Sequence, residues 1–475
     1  MKQESNLDIL RDGDRITPTT YLDGLRGWAA LVVINYHFLF AFTDVVGIGY
    51  GFDQKHKSIW SLSPIRLLYD GNVAVVLFFA ISGYVCSNKA LCIMTSINTM
   101  RNEHDQVIAW KHLVKSLASS VFRRGFRLYL PCIAISFFVT ISAYLGLFEP
   151  MRPFLDERRT YFKDSMKFSE PQPRKMPTFI GQLCYWTSDL WTWANPFNAS
   201  AVYPAHDNHL WTISYEFRLS MHLYIALLGL AICKPMTRLA FLLALALLYF
   251  CWNHYEGPLF FGGAALAQWQ ILRDTYRTSL LPQSQNVLSQ KSKVSPDLRK
   301  RFRPAAYVLA VYLLSYPIQN MKYPAPGYKI VTALIPSFFG RKERFPKTIG
   351  CLTLLSLLGT SDNHALSAKP GMIHTLLTCR AARFLGSNMF ALYLVHGTIL
   401  HVLGYGLPHL WWHYLPNESL FAHASGLFFG WILSMALSIV VASIFTRVVD
   451  KRCAMFTRWL EKKSFMLEAD TANQR

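Results

Sequence analysis

The sequence predicts an all-α polytopic membrane protein, a bundle of about ten transmembrane helices. Three observations carry this. Of the 475 residues, 52% are apolar and only 16% are charged, below the quarter or so of charged residues in a soluble domain. The apolar residues are bunched into runs of roughly 17–25, the length that crosses a bilayer. The formal charge of +20 is concentrated in the short segments between those runs, as topology signals and anionic-lipid contacts require.

In order, the runs are Gly24–Val45, Val73–Cys92, Leu128–Phe148, Leu210–Cys233, Arg238–Asn253, Gly257–Leu272, Ala305–Ile318, Thr348–Thr360, Phe384–Leu407 and Ser425–Phe445. The seventh and eighth are short and flanked by proline or glycine. Residues 1–20 form a polar cytosolic segment without a cleavable signal, 21–447 the transmembrane domain, and 448–475 a cytosolic tail. Both termini are expected in the cytosol, because "FRRGFR", "SKVSPDLRKRFR" and "DKRCAMFTRWLEKK" then lie inside. The sequons at Asn198 and Asn417 fall in outside loops under the same assignment, as N-glycosylation in an endomembrane requires. Between about Glu149 and His209 runs a long outside loop, in which "FIGQLCYWTSDLWTW" reads as an interfacial helix. Thr278–Val294 is Ser/Gln-rich and reads as a mobile inside segment.

The same features exclude several classes. No zinc-finger spacing, aromatic-basic RNA motif or basic-region heptad accompanies the positive charge, so nucleic acid is not an expected partner. The nine cysteines are scattered with no C-x-x-C pair, which argues against a disulfide framework, and no metal site is expected.

Chemistry is carried by ionisable residues at membrane depth, which are costly and usually face a cavity or a site. In "YLDGLRGWAALVVINYHF", Arg26 and His37 are eleven residues apart, so they share a helix face about 16 Å apart. A snorkelling arginine and a structural histidine also fit those positions taken singly. In "HLWTISYEFRLSMHLY", His209 and Glu216 share a face two turns apart. Counting depth from the outer surface puts Glu216 level with His37, where a carboxylate would raise imidazole basicity. A structural ion pair is the alternative for Glu216. His396 in "FLGSNMFALYLVHG" falls in the outer half too, and Asn388 lies nearer the cytosol. In "VFRRGFRLYLP", Arg123, Arg124 and Arg127 point to one side at the cytosolic entrance, suited to clamping phosphates as well as to setting topology. In "LFFAISGYV", Ser82 and Gly83 sit near the midplane, where small residues allow close helix approach and Ser82 can line a channel.

Taken together, these five stretches resemble the acyltransferase 3 family of membrane O-acyltransferases, in the family's order from Tyr21 to about His401. The resemblance implies about ten transmembrane helices and an acyl-CoA donor, acetyl-CoA by default, drawn from the cytosol. It implies functional roles for Arg26, His37, Arg124, Arg127 and Glu216. Phe217 stands where many bacterial relatives have a second acidic residue, and no appended extracytoplasmic hydrolase-like domain is present. The expected acceptor is a hydroxyl-bearing small molecule, as in fungal members that acylate secondary metabolites. Catalysis is expected at His37, Glu216 and His396, and acyl-CoA binding at Arg26, Arg123, Arg124 and Arg127. A multi-pass exporter of a lipophilic small molecule is the rival reading, since intramembrane His and Glu also serve proton relays. Its usual sign, an internal repeat, is missing from the sequence.

Overall fold

Helices form wherever the sequence offers a long apolar run, because a chain in lipid must satisfy its backbone hydrogen bonds within itself. The computed structural model describes residues 17–52, 56–152, 170, 172–198, 201–280, 298–318, 325–359, 371–415 and 419–465. They are all-α: α1 (Thr20–Phe40), α2 (Gly71–Ile97), α3 (Glu103–Tyr144), α4 (Phe179–Trp193), α5 (Trp211–Gly229), α6 (Pro235–Cys251), α7 (Glu256–Leu280), α8 (Leu298–Leu314), α9 (Lys329–Ala333), α10 (Arg344–Gly359), α11 (Met372–Thr378), α12 (Arg380–Ile399), α13 (Leu407–Tyr414), α14 (Leu420–Phe445) and α15 (Lys451–Ser464). Asn417, most of the N-terminal segment, most of Thr278–Val294 and the end of the tail lie outside the described residues.

Each of the ten apolar runs coincides with a helix, but among the described residues only four stretches are long and apolar enough to cross a membrane by length and composition. These are Gly71–Ile97, Glu103–Tyr144, Arg380–Tyr414 and Leu420–Ser464. The other helices are shorter or carry more polar residues, so the count of about ten spans is not established by this measure. Large apolar side chains on several helices face outward, including Ile225, Leu228, Leu420 and Phe421. A surface of that kind suits lipid and not water.

The third run is the one whose limits differ most from expectation. It is not a 21-residue span but the end of a 42-residue helix, started by Asn102, whose side chain accepts from the His104 amide. Pro131 lies inside without ending it. Polar residues from Glu103 onward thus extend the helix beyond its apolar half. "FIGQLCYWTSDLWTW" forms α4 over its full length, capped by Thr178.

Close approach at the centre depends on glycine. A Cβ on Gly83 of α2 would lie 1.8 Å from the carbonyl oxygen of Phe260 in α7, and one on Gly263 would lie 2.0 Å from that of Ala80. These contacts are with backbone, which cannot step aside. Gly83→Val is therefore expected to remove most of the properly folded protein, read as loss of the monodisperse peak of a fluorescently tagged chain extracted in detergent. An unchanged peak would show that α2 and α7 are not locked at this point.

The N-terminal end of α2 is fixed by charge. Asp70 caps the helix through the Asn72 amide, and Lys347 of α10 meets it at 2.5 Å, with Arg66 at 3.6 Å. All three side chains are fully buried. Removing one partner of such a group leaves an uncompensated buried charge, at a cost of about 3–5 kcal/mol. The cluster adjoins Gly71, Asn72 and Arg344, which line a cavity described next.

Candidate active site

Two groups of polar side chains lie inside the bundle, one toward each end of α1. At the end expected in the cytosol, Arg26 of α1 and Arg124 and Arg127 of α3 line a cavity of about 260 Å³ with Glu216 and Asp450. The Arg124 guanidinium donates from Nη2 to Glu216 Oε1 at 2.7 Å and from Nε to Ser220 Oγ at 2.9 Å. Ser82 donates to the same Glu216 oxygen at 2.8 Å. The buried Nε of Arg26 has no hydrogen-bond partner among the described residues. Arg123, Arg124 and Arg127 also line a smaller cavity of about 190 Å³ with Arg458 of α15, and Arg123 pairs with Glu461 at 3.3 Å.

Glu216 therefore does not meet His37 in the way depth alone suggested. Depth fixes how far along a helix a residue lies, but not which neighbour its face turns toward. Here the α5 face turns to α3, and the carboxylate neutralises Arg124 where water is scarce. Ser82 reaches the cavity wall only through Glu216. Asn388 is buried and spends its amide on its own helix, donating to the Phe384 carbonyl at 2.9 Å. Neither Ser82 nor Asn388 is among the residues lining the described cavities.

At the other end, His37, His209 and His396 converge. Their ring centroids are 4.2 Å apart for His37 and His209, 4.4 Å for His209 and His396, and 5.3 Å for His37 and His396. Each ring is held by a different partner. His37 Nδ1 contacts Glu170 Oε1, and Tyr405 donates its hydroxyl to the His37 carbonyl at 3.2 Å. His209 donates from Nδ1 to Asp207 Oδ1 at 2.9 Å, which leaves Nε2 unprotonated 3.3 Å from His37 Nδ1. His396 donates from Nδ1 to the Tyr393 carbonyl at 2.7 Å, and its buried Nε2 has no partner among the described residues.

Glu170 is the residue that sequence reasoning missed. It comes from the long loop and is held in turn by His401, which donates from Nε2 to Glu170 Oε2 at 3.0 Å while Gln172 donates to its Nδ1 at 3.0 Å. His401 sits in a π-helical turn, Leu400–Gly404, that re-aims the end of α12. Burial alone would push the Glu170 carboxyl up, but the histidines around it, His37 foremost, hold it well below the usual carboxylate range. It is thus an ionised partner able to orient His37 and to stabilise its protonated form. The one sequence signal nearby is the run "HDNH" from His206 to His209, a concentration of polar groups at the mouth of an apolar helix.

His37, His209 and Glu170 line a second cavity, of about 630 Å³, with Tyr36, Phe40, Tyr203, Trp211, Arg341 and Arg344. Val75 and Tyr393 line both this cavity and the arginine-lined one. Arg124 and Arg127 likewise line both the arginine-lined cavity and the smaller one. The three cavities thus follow one another, with shared walls, from an arginine cluster to a histidine cluster. Asn198 lies on the α4–α5 connection, its side chain donating to the Thr192 carbonyl at 2.8 Å.

Fold and site together define a protein of long apolar helices with an arginine-lined end, a histidine-carboxylate end and cavities with shared walls between them. The chain belongs to the acyltransferase 3 family, whose acyltransferase domain matches residues 19–447. It is similar to three fungal proteins. The O-acetyltransferase PaAT-1 of Phomopsis amygdali is 24% identical, over 96% of this chain and 87% of its own length. Acyltransferase clz18 of Cochliobolus lunatus is 25% identical, over 91% and 93%. Acyltransferase R4 of a Phoma species is 24% identical, over 91% and 93%. No solved structure matches the chain.

Proposed function

We propose that the protein is an O-acyltransferase that moves an acetyl group from acetyl-CoA to a hydroxyl of a small-molecule acceptor made in secondary metabolism. The observation that carries this reading is the succession of cavities with shared walls between the arginine and histidine clusters. Relationship to an O-acetyltransferase and two further fungal acyltransferases supports transfer of an acyl group, acetyl to oxygen in the first case.

In this reading Arg123, Arg124, Arg127 and Arg26 hold the phosphates of CoA, since guanidinium groups bind phosphate oxygens bidentately. The pantetheine arm extends past Val75 and Tyr393, and the gap of about 16 Å from Arg26 to His37 suits its length. The acceptor occupies the outer, aromatic-lined cavity. His37, oriented by Glu170, takes the proton of the acceptor hydroxyl as its oxygen attacks the thioester carbonyl. The C–S bond then breaks, and the imidazolium returns the proton to the departing CoA thiolate. His209, held by Asp207, fixes the His37 ring from the other side. Glu216 positions Arg124 and does not act on the acceptor. The protein is read as an endomembrane one with both termini cytosolic and Asn198 on the outer side.

Among the described residues Arg127 makes no close ion pair, unlike Arg124 with Glu216 and Arg123 with Glu461, so it gives the cleanest test of the donor end. Arg127→Gln is expected to raise the KM for acetyl-CoA about tenfold, the loss of roughly 1.4 kcal/mol of phosphate binding, with kcat little changed. Initial rates against acetyl-CoA concentration read this directly. An unchanged KM would remove Arg127 from the donor site.

A further inference from the structure

We infer that the three histidines also form a binding site for a divalent transition cation, zinc in particular, and that its occupation blocks acyl transfer. Metal binding follows from the geometry alone; only the block rests on the proposed role of His37. One ring nitrogen from each of His37, His209 and His396 lies within 4.8 Å of the others. The closest pair, His37 Nδ1 and His209 Nε2, is 3.3 Å apart. That is about the separation of two ligand nitrogens on a tetrahedral zinc with bonds of about 2.0 Å.

The surroundings favour ligation over a simple hydrogen-bonded cluster. His209 and His396 each commit Nδ1–H to an acceptor, a carboxylate in one case and a carbonyl in the other. Both therefore present an unprotonated Nε2, the tautomer a metal needs and the arrangement that usually supports a metal-ligating histidine. The His396 Nε2 is fully buried and has nothing to bind among the described residues. On ligation the single ring proton of His37 moves from Nδ1 to Nε2 by exchange with solvent, so the imidazole stays neutral, and Glu170, with Oε2 3.8 Å from His209 Nε2, supplies a carboxylate oxygen as the fourth ligand. Three imidazoles and one carboxylate suit zinc better than magnesium or calcium, which prefer oxygen. With His37 engaged, no imidazole is left to take the acceptor's proton.

Titrating the purified full chain in detergent with Zn²⁺ against a chromogenic chelator, without donor or acceptor, tests binding independently of the reaction. One equivalent is expected to bind. Asp207→Asn, which leaves all four ligands in place, should weaken it about 10- to 100-fold, and His396→Gln should weaken it at least as much. Detergent elution profiles verify that both variants fold. Binding that is absent in the wild type, or unaltered in both folded variants, overturns the site. Zn²⁺ is further expected to suppress acyl transfer by the wild type, with EDTA restoring it. Acyl transfer that is indifferent to bound Zn²⁺, or that EDTA itself abolishes, overturns the blocking role and leaves the binding result standing.

Discussion

Replacing His37 with alanine is expected to lower acyl transfer by about 10²- to 10⁴-fold while leaving acetyl-CoA binding intact. The magnitude is that of losing a positioned general base. The separation of effects follows from distance along α1: the arginines that would hold the donor lie about 16 Å away, eleven residues toward the other end. Parallel measurements of labelled ester formation and of donor affinity by calorimetry check both halves. Substantial turnover in His37→Ala would remove His37 from the chemistry. A parallel loss of donor affinity would mean that the residue shapes the whole passage instead.

Glu170→Gln is expected to have the second largest effect, a fall in kcat on the order of 10² or more with the KM for acetyl-CoA unaltered. The amide is nearly isosteric, but it cannot stabilise an imidazolium, and its NH₂ presents a donor to a ring that itself donates. In the other amide orientation the NH₂ faces His401 instead, which donates to the second carboxylate oxygen at 3.0 Å, so one of the two donors is always opposed. Because Glu170 is held well below the ordinary carboxylate range, it remains ionised at neutral pH. The acid limb of the wild-type rate profile is therefore expected to belong to an imidazole. Glu170→Asp, which keeps the charge, should recover part of the rate lost in Glu170→Gln. Equal rates for the two variants would show that bulk, not charge, is what the site needs there.

What the sequence made legible follows from helical geometry. Apolar length located the helices at the ten runs but not short ones such as α9 and α11, and the spacing of Arg26 and His37 set them about three turns apart on α1. The rings of His396 and His37, put at one depth by counting along their helices, lie 5.3 Å apart. Rotation about a helix axis was not legible, so Glu216 was matched in depth to His37 but turns to Arg124 and Ser82. Glu170 and Asp207 were missed for another reason. Both lie outside regular helices, in connections where no periodicity tells which carboxylate folds back into the bundle. His401, by contrast, lies on the ninth apolar run, but a π-helical turn alters the angular spacing there, and a constant 100° per residue misplaces its side chain.

The most direct measurement supplies radiolabelled acetyl-CoA to membranes containing the chain, together with an extract of the native host. The account predicts a base-labile labelled ester in the organic phase that is missing from membranes without the chain and from membranes carrying His37→Ala. No chain-dependent ester with acetyl-CoA or with a panel of longer acyl donors, from protein shown to be folded, would contradict it.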